Sequence, residues 1–168
     1  MIVGILSDTH GNDRLLAAAL EVFRARGVVT LVHCGDVGSA RCMQMLGAYA
    51  GTVYVVAGNI DKDLENLSQT AAECGVNFAQ EVIEAPLGGG LLLAATHGNN
   101  PVTLSGLIDS GRYRYVCHGH THQPRDQTVG KVRLINPGAL ERTKTPTVAI
   151  LDTQQDALEQ VALERLTK

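Results

Sequence analysis

Residues 2–13 read IVGILSDTHGND, an aliphatic run that stops at Ser7 and is followed at once by a carboxylate, an imidazole and a glycine. A short apolar run bounded by turn-forming residues reads as a strand buried on both faces. What comes next decides the class. RLLAAALEVFRAR (14–26) puts Leu16, Ala19, Leu20 and Phe23 at helical spacing, and Gly27 suits the left-handed turn that ends a helix. The pattern then repeats: VVTLVHC (28–34) as a second buried strand, SARCMQMLGAYA (39–50) as a helix with Ser39 at its N-cap, TVYVVA (52–57) as a third strand. This β-α-β-α-β rhythm predicts a parallel sheet with right-handed crossovers.

Beyond residue 60 the rhythm changes. The spacing predicts a helix from Asp61 to Glu73 with Asp61 as its N-cap, an extended stretch over 78–87, a glycine turn at 88–90 and a strand LLLAAT at 91–96. VTLSGLIDS (102–110) reads as a short helix and YRYVCH (113–118) as a strand, and 123–135 as a hairpin turning near Gly130. For TVAILD (147–152) and ALEQVALERL (157–166) a strand pair is preferred to a strand and a terminal helix. At ~100 to 200 residues per domain, the 168 residues make one domain, 1–168, with no repeat or linker.

The composition excludes several classes. Hydrophobic residues are 45% and charged residues 18%, which is neither disordered nor fibrous. Aromatics are 4% with no Trp, and 14 Lys+Arg against 17 Asp+Glu give a net charge of −3 with the basic residues scattered, so no long nucleic acid is expected as a partner. The 4 cysteines form no C-x-x-C, and a chain this long needs no disulfides, which suits a reducing cytoplasm. No signal-peptide pattern follows Met1 and no apolar stretch approaches the ~20 residues of a membrane span, so no membrane association is expected.

Six histidines remain, and their positions carry the functional reading. SDTHGND follows the first expected strand, GDVG the second, GNID the third, HGNN the LLLAAT strand and GHTH the YRYVCH strand. Ligands in open α/β sheets bind outside the carboxyl ends of strands, so these loops can share one crevice. Taken singly, Asp8 is a turn former, Asp36 a carboxylate near a helix, Asn59 a left-handed turn residue and His97 a loop histidine. Asn12 either caps the first helix or donates to a substrate oxygen. Three histidines within 118–122 are harder to read as bland, since histidine is the commonest metal ligand. His33, inside a central strand, is expected to be buried and hydrogen-bonded, as are Cys34 and Cys117 as small hydrophobes. His118 is left without a role.

The ordered set D-x-H (Asp8, His10), G-D (Asp36), G-N (Asn59), H-G (His97) and G-H-T-H (His120, His122) resembles the calcineurin-like metallophosphoesterase superfamily. The SDTHGN opening and the INPGAL segment (135–140) resemble in particular its small YfcE-like phosphodiesterases. The resemblance implies a layered α-β-β-α sandwich of two mixed sheets flanked by helices, metallo-dependent-phosphatase-like. It implies two divalent ions, the first on Asp8, His10, Asp36 and His122 and the second on Asp36, Asn59, His97 and His120. The donor set itself agrees: a shared carboxylate can hold two ions about 3.5 to 4 Å apart. Nitrogen and oxygen donors without thiolate suit manganese first, with zinc, iron or nickel as alternatives.

The expected reaction is hydrolysis of a small phosphodiester by a hydroxide bridging the two ions, with Asp36, Asn59 and His97 as the catalytic residues. Asn12 and Asp61 are expected to reach the substrate. Many superfamily members place a histidine after the G-N asparagine as proton donor; here it is Ile60, so esters with good leaving groups are favoured, or protonation by water or by a histidine such as His97. Ala139 stands where a serine is frequent in the NPG segment. No arginine clamp is visible. The alternatives are a non-catalytic scaffold, as in the retromer subunit of this fold, whose site has lost key histidines, and a phosphomonoesterase. Homo-oligomerisation is left open.

Overall fold

The computed structural model describes residues 1–164. Strands β1 (Ile2–Leu6), β2 (Thr30–His33) and β3 (Thr52–Val56) alternate with helices α1 (Asp13–Ala25), α2 (Ala40–Gly47) and α3 (Leu64–Glu73). The chain continues through β4 (Asn77–Ala79), β5 (Val82–Pro86), β6 (Leu92–Thr96), α4 (Pro101–Asp109), β7 (Tyr115–Cys117), β8 (Arg125–Val129), β9 (Val132–Asn136), β10 (Thr147–Asp152) and β11 (Ala157–Ala162). The expected terminal strand pair is β10–β11; its residues 165–166 lie outside the described residues.

Two sheets form, one in the order β11-β10-β1-β2-β3-β4 and the other β5-β6-β7-β9-β8. In the first, β1 to β4 are parallel and β10 is antiparallel to β1. Because these parallel strands are added in one direction, crossovers of one hand put α1 to α3 on the same face. Alternation along the strands then divides the core. Leu6, Leu31, Val53 and Val55 pack with Leu16, Phe23, Met43, Leu46 and Leu67 of the helices. Val3, Ile5, Val32 and Val56 point the other way, into a layer shared with Ile83, Leu93, Ala95, Tyr115 and Ile135 of the second sheet. The outer face of that sheet is covered by α4, through Leu107 against Ala94, Val116 and Leu134. The result is the α-β-β-α sandwich of two mixed sheets. Among the described residues no helix is long and apolar enough to cross a membrane.

The extended stretch expected over 78–87 is two strands in two sheets: β4 pairs parallel with β3, and β5 pairs antiparallel with β6. A run of alternating residues carries no information about which sheet it joins, so the change of sheet at Gln80–Glu81 had no local signature. Helix α3 also starts later than expected. Its N-cap is Asp63, whose side chain accepts from Asn66 N, and not Asp61.

His33 ends β2 between β1 and β3 and is fully buried, as expected. Gly35 N–H donates to its Nδ1 (3.2 Å), so Nε2–H donates to Thr9 Oγ1 (2.8 Å) and the ring is neutral. Burial pushes its pKa down to about 4. The unfolded chain takes up this proton below about 6.5 and the folded chain does not until about 4, so stability is full above 6.5 and is lost as pH falls towards 4. In urea unfolding of metal-free protein, His33→Gln should flatten this acid limb by up to ~3 kcal/mol. Parallel curves for the two proteins would show that His33 contributes nothing to it.

Candidate metal centre

The five motif loops leave the carboxyl ends of β1, β2 and β3 in one sheet and of β6 and β7 in the other, so the crevice lies across the mouth of the sandwich rather than at one sheet. The loops are tied to each other by their backbones. Asp8 N donates to Gly35 O (3.0 Å), Gly119 N to His97 O (3.0 Å) and Leu140 N to Ser7 O (3.1 Å). Asp8, His10, Asp36, His120 and His122 all have positive φ, between 48° and 65°. This left-handed conformation turns a side chain sharply at a strand end, and Asp and His adopt it more readily than most residues. Each such turn still carries a cost of order 1 kcal/mol.

All seven expected ligands are brought to the mouth. On one side, Asp8 Oδ1 lies 3.1 Å from His122 Nε2 and 3.9 Å from His10 Nε2. On the other, Asn59 Oδ1 lies 2.9 Å from His97 Nε2, and the His97 and His120 ring centroids are 5.1 Å apart. Asp36 stands between: its Oδ2 is 3.7 Å from His10 Nε2 and 3.5 Å from His97 Nε2. Donors around one tetrahedral ion with ~2.1 Å bonds are about 3.4 Å apart, so these gaps are of the right size.

The outer atoms of the same side chains are taken up by backbone. Asp8 Oδ2 accepts from His120 N (3.2 Å) and Asp36 Oδ1 from Ile60 N (2.9 Å). His97 Nδ1–H donates to Cys34 O (2.9 Å) and His122 Nδ1–H to Arg142 O (3.3 Å), which turns both Nε2 lone pairs inward. The inner atoms lack partners. Asp8 Oδ1 and both ring nitrogens of His10 are buried without a hydrogen bond. Burial lowers the pKa of His10 against the opposing pull of Asp36, and a metal needs that ring neutral. Carboxylate and imidazole lone pairs facing one another, buried and unpaired, fit divalent cations.

Two glycines make the approach feasible. A Cβ on Gly58 would stand 2.1 Å from Asp36 Oδ1, and one on Gly119 would stand 1.9 Å from Ser7 Oγ and 2.6 Å from Asp8 Oδ2. Either methyl would push a carboxylate out of place.

The two residues expected at the substrate make hydrogen bonds within the protein. Asn12 caps α1, with Oδ1 accepting from Leu15 N and Nδ2 donating to Glu141. Asp61, read from the sequence as a helix cap and a substrate contact, is a buried clamp. Its carboxylate accepts from Val37 N (3.1 Å), Gly38 N (2.8 Å) and Gly58 N (2.9 Å), joining the G-D loop to the G-N loop. Its oxygens are thus spent on backbone. His118 is buried, with Nδ1 near Gly119 O and Nε2 unpartnered. Asn136 of the NPG segment was missed as a brace: fully buried, it donates to Gly119 O (2.9 Å) and Thr121 Oγ1 (3.0 Å) and so holds the G-H-T-H loop. A buried amide beside a proline and a glycine was the available signal. A depression of about 190 Å³ borders His97, bounded also by Gly58, Thr96 and Asn99. Another, of about 260 Å³, is bounded by Ser39, Ile60, Asp61, Lys62 and Asn66 and contains none of the seven donors.

Comparison with known proteins places this geometry in a family. The sequence pattern of the calcineurin-like phosphoesterase superfamily domain matches residues 1–156. The chain is 31% identical to the phosphodiesterase MJ0936 of Methanocaldococcus jannaschii, over 98% of this chain and 100% of that protein. The structure of an archaeal phosphodiesterase superposes with a TM-score of 0.89 at 30% identity, covering 97% of this chain and 100% of that one. The Yfce phosphoesterase of E. coli shares the fold with a TM-score of 0.71 at 22% identity, covering 98% and 100%.

Asp61→Asn keeps the shape of the clamp but turns one acceptor into a donor facing a backbone N–H. Metal-free protein should lose ~1–3 kcal/mol in urea unfolding. A variant as stable as the parent would return Asp61 to the substrate side.

Proposed function

Since the chain belongs to the calcineurin-like phosphoesterase superfamily, we propose that its centre holds two divalent ions and hydrolyses small phosphodiesters. The observation that carries the reading is the position of Asp36, whose Oδ2 faces His10 on one side and His97 on the other while its Oδ1 is fixed by Ile60 N. Asp8, His10 and His122 complete one set with Asp36; Asn59, His97 and His120 complete the other. Ions held there supply Lewis-acid charge for phosphate oxygens and a water acidified towards neutrality. Manganese is the first choice for this donor set.

The chain's own part is to hold, orient and exclude. Backbone contacts at Asp8 Oδ2, Asp36 Oδ1, His97 Nδ1 and His122 Nδ1 keep the inward atoms fixed before substrate arrives, which spares reorganisation at the moment of reaction. Neither nitrogen of His97 is left to protonate a leaving group: one donates to Cys34 O and the other lies among the donors. With Ile60 half-buried beside them, leaving-group protonation falls to water, and diesters of acidic alcohols are the better substrates. The free cysteines fit a cytoplasmic setting.

Metal-free protein reconstituted with Mn²⁺ should hydrolyse bis-p-nitrophenyl phosphate from neutral to alkaline pH, faster than p-nitrophenyl phosphate. Asp36→Asn should lose both ions together by metal analysis, and activity by more than the ~10- to 100-fold typical of an outer partner. Faster monoester cleavage would make the protein a phosphomonoesterase. Full metal loading with neither ester cleaved would make it a scaffold.

A further inference from the structure

Among the described residues seven other than glycine have positive φ; six are aspartate or histidine, and the seventh is Arg142 at 56°. Asp and His are the side chains enriched in this region, and arginine has no such excuse. Its backbone is held at the rim of the donor cluster. Its carbonyl accepts from His122 Nδ1 (3.3 Å), its N–H donates to Glu141 Oε1 (3.1 Å), and Glu141 N donates to Asp8 O (3.0 Å). The carbonyl's task would be done as well by glycine, without strain, so the backbone does not explain the side chain.

That side chain is exposed. Arg24, Arg26, Arg41, Arg112, Arg114 and Arg133 each pair with a carboxylate, whereas for Arg142, as for Arg14 and Arg125, no carboxylate among the described residues lies within ion-pair distance; of these three only Arg142 touches an expected ligand, through its carbonyl. Glu141, next to it, spends its two oxygens on Asn12 and on the Arg142 backbone. The contact of its carbonyl with His122 puts Arg142 on the Asp8–His10–His122 side of the cluster.

We propose that Arg142 is a substrate-binding residue that donates to a phosphate oxygen held over this side of the cluster. The inference takes from the diesterase reading only the identity of the anion. A strained turn puts a cation with planar, paired donors at the rim, and such a fork matches two oxygens of one phosphate. The arginine clamp absent from the motifs is supplied by the loop after the NPG segment.

The test is Arg142→Gly in manganese-loaded full-length protein, which keeps the left-handed turn and the carbonyl to His122 and removes only the side chain. Metal content should be unchanged and the melting temperature equal or higher. Affinity for inorganic phosphate, measured by calorimetry, should fall about ten- to hundredfold, and KM for bis-p-nitrophenyl phosphate should rise in step. Arg142→Lys should fall between the two. Lys144→Ala, which removes an exposed charge two residues away, should stay within about twofold of the parent. Phosphate affinity unchanged in Arg142→Gly, or lost equally in Lys144→Ala, overturns the proposal, as does loss of metal in Arg142→Gly. The phosphate measurement does not need turnover. Arg142-dependent binding without diester cleavage therefore fails the hydrolytic reading alone, and normal cleavage with unchanged phosphate binding fails the Arg142 proposal alone.

Discussion

Past the last residues of β1 and β2 the two segments go on pairing. Asp8 N donates to Gly35 O, His10 N to Asp36 O (2.9 Å) and Gly11 N to Val37 O (3.0 Å), so the loops run side by side as an irregular extension of the sheet. This ladder is what permits Asp8, His10 and Asp36 to be left-handed at once, because the backbone groups that a turn would otherwise orphan are satisfied by the neighbouring turn. The Asp61 carboxylate, accepting three N–H groups, fastens the third loop to the second. Everything at the mouth of the sandwich depends on this brace, since without it the turns would relax and the donor atoms would disperse.

The brace also makes the site costly on its own. Five left-handed side chains, a buried carboxylate oxygen without a partner and a buried imidazole with neither nitrogen paired all act against folding. Nothing in the described residues offsets them locally. The stability must come from the two apolar layers behind, and the local terms are recovered when cations bind, because anything that binds the folded form alone stabilises it. A site that conflicts with its own fold in this way is the mark of function, in the sense that each local rule it breaks is one a purely structural loop would have kept.

Much of this was legible in the sequence, and the failures share one cause. The apolar periodicity of residues 2–57 specifies β1 to β3 with their helices, because both faces of a parallel strand and one face of a helix must be apolar whatever the tertiary detail. The site loops were legible because Gly next to Asp, Asn or His at five strand ends has no structural reason to recur. Partnership across the sandwich was not. The division of residues 77–86 between two sheets, the choice of Asp63 over Asp61 as the α3 cap and the inward turn of Asp61 are set by which backbone N–H groups lie within reach. A carboxylate two residues before a helix looks alike whether it caps or clamps. Asn136 and Arg142 escaped for the same reason: each acts on a loop far from it in sequence, Asn136 through Gly119 and Thr121, Arg142 through His122.

The net charge of −3 sets the last constraint. An acidic chain whose cleft is lined by Asp8 and Asp36 would repel a phosphodiester unless cations neutralised it, and the two divalent ions proposed would bring about +4 against those two carboxylates. A phosphate held there would also carry charge on oxygens turned away from the ions. A fixed cation at the rim covers what the ions cannot reach, and it must be neither buried nor paired, or its charge would be spent before substrate arrives. The Arg142 guanidinium is exposed and has no ion-pair partner among the described residues. On the proposed reading, ions and arginine would divide the task by geometry: the braced loops would set where the ions sit, and one strained residue beyond the NPG segment would help to hold the anion.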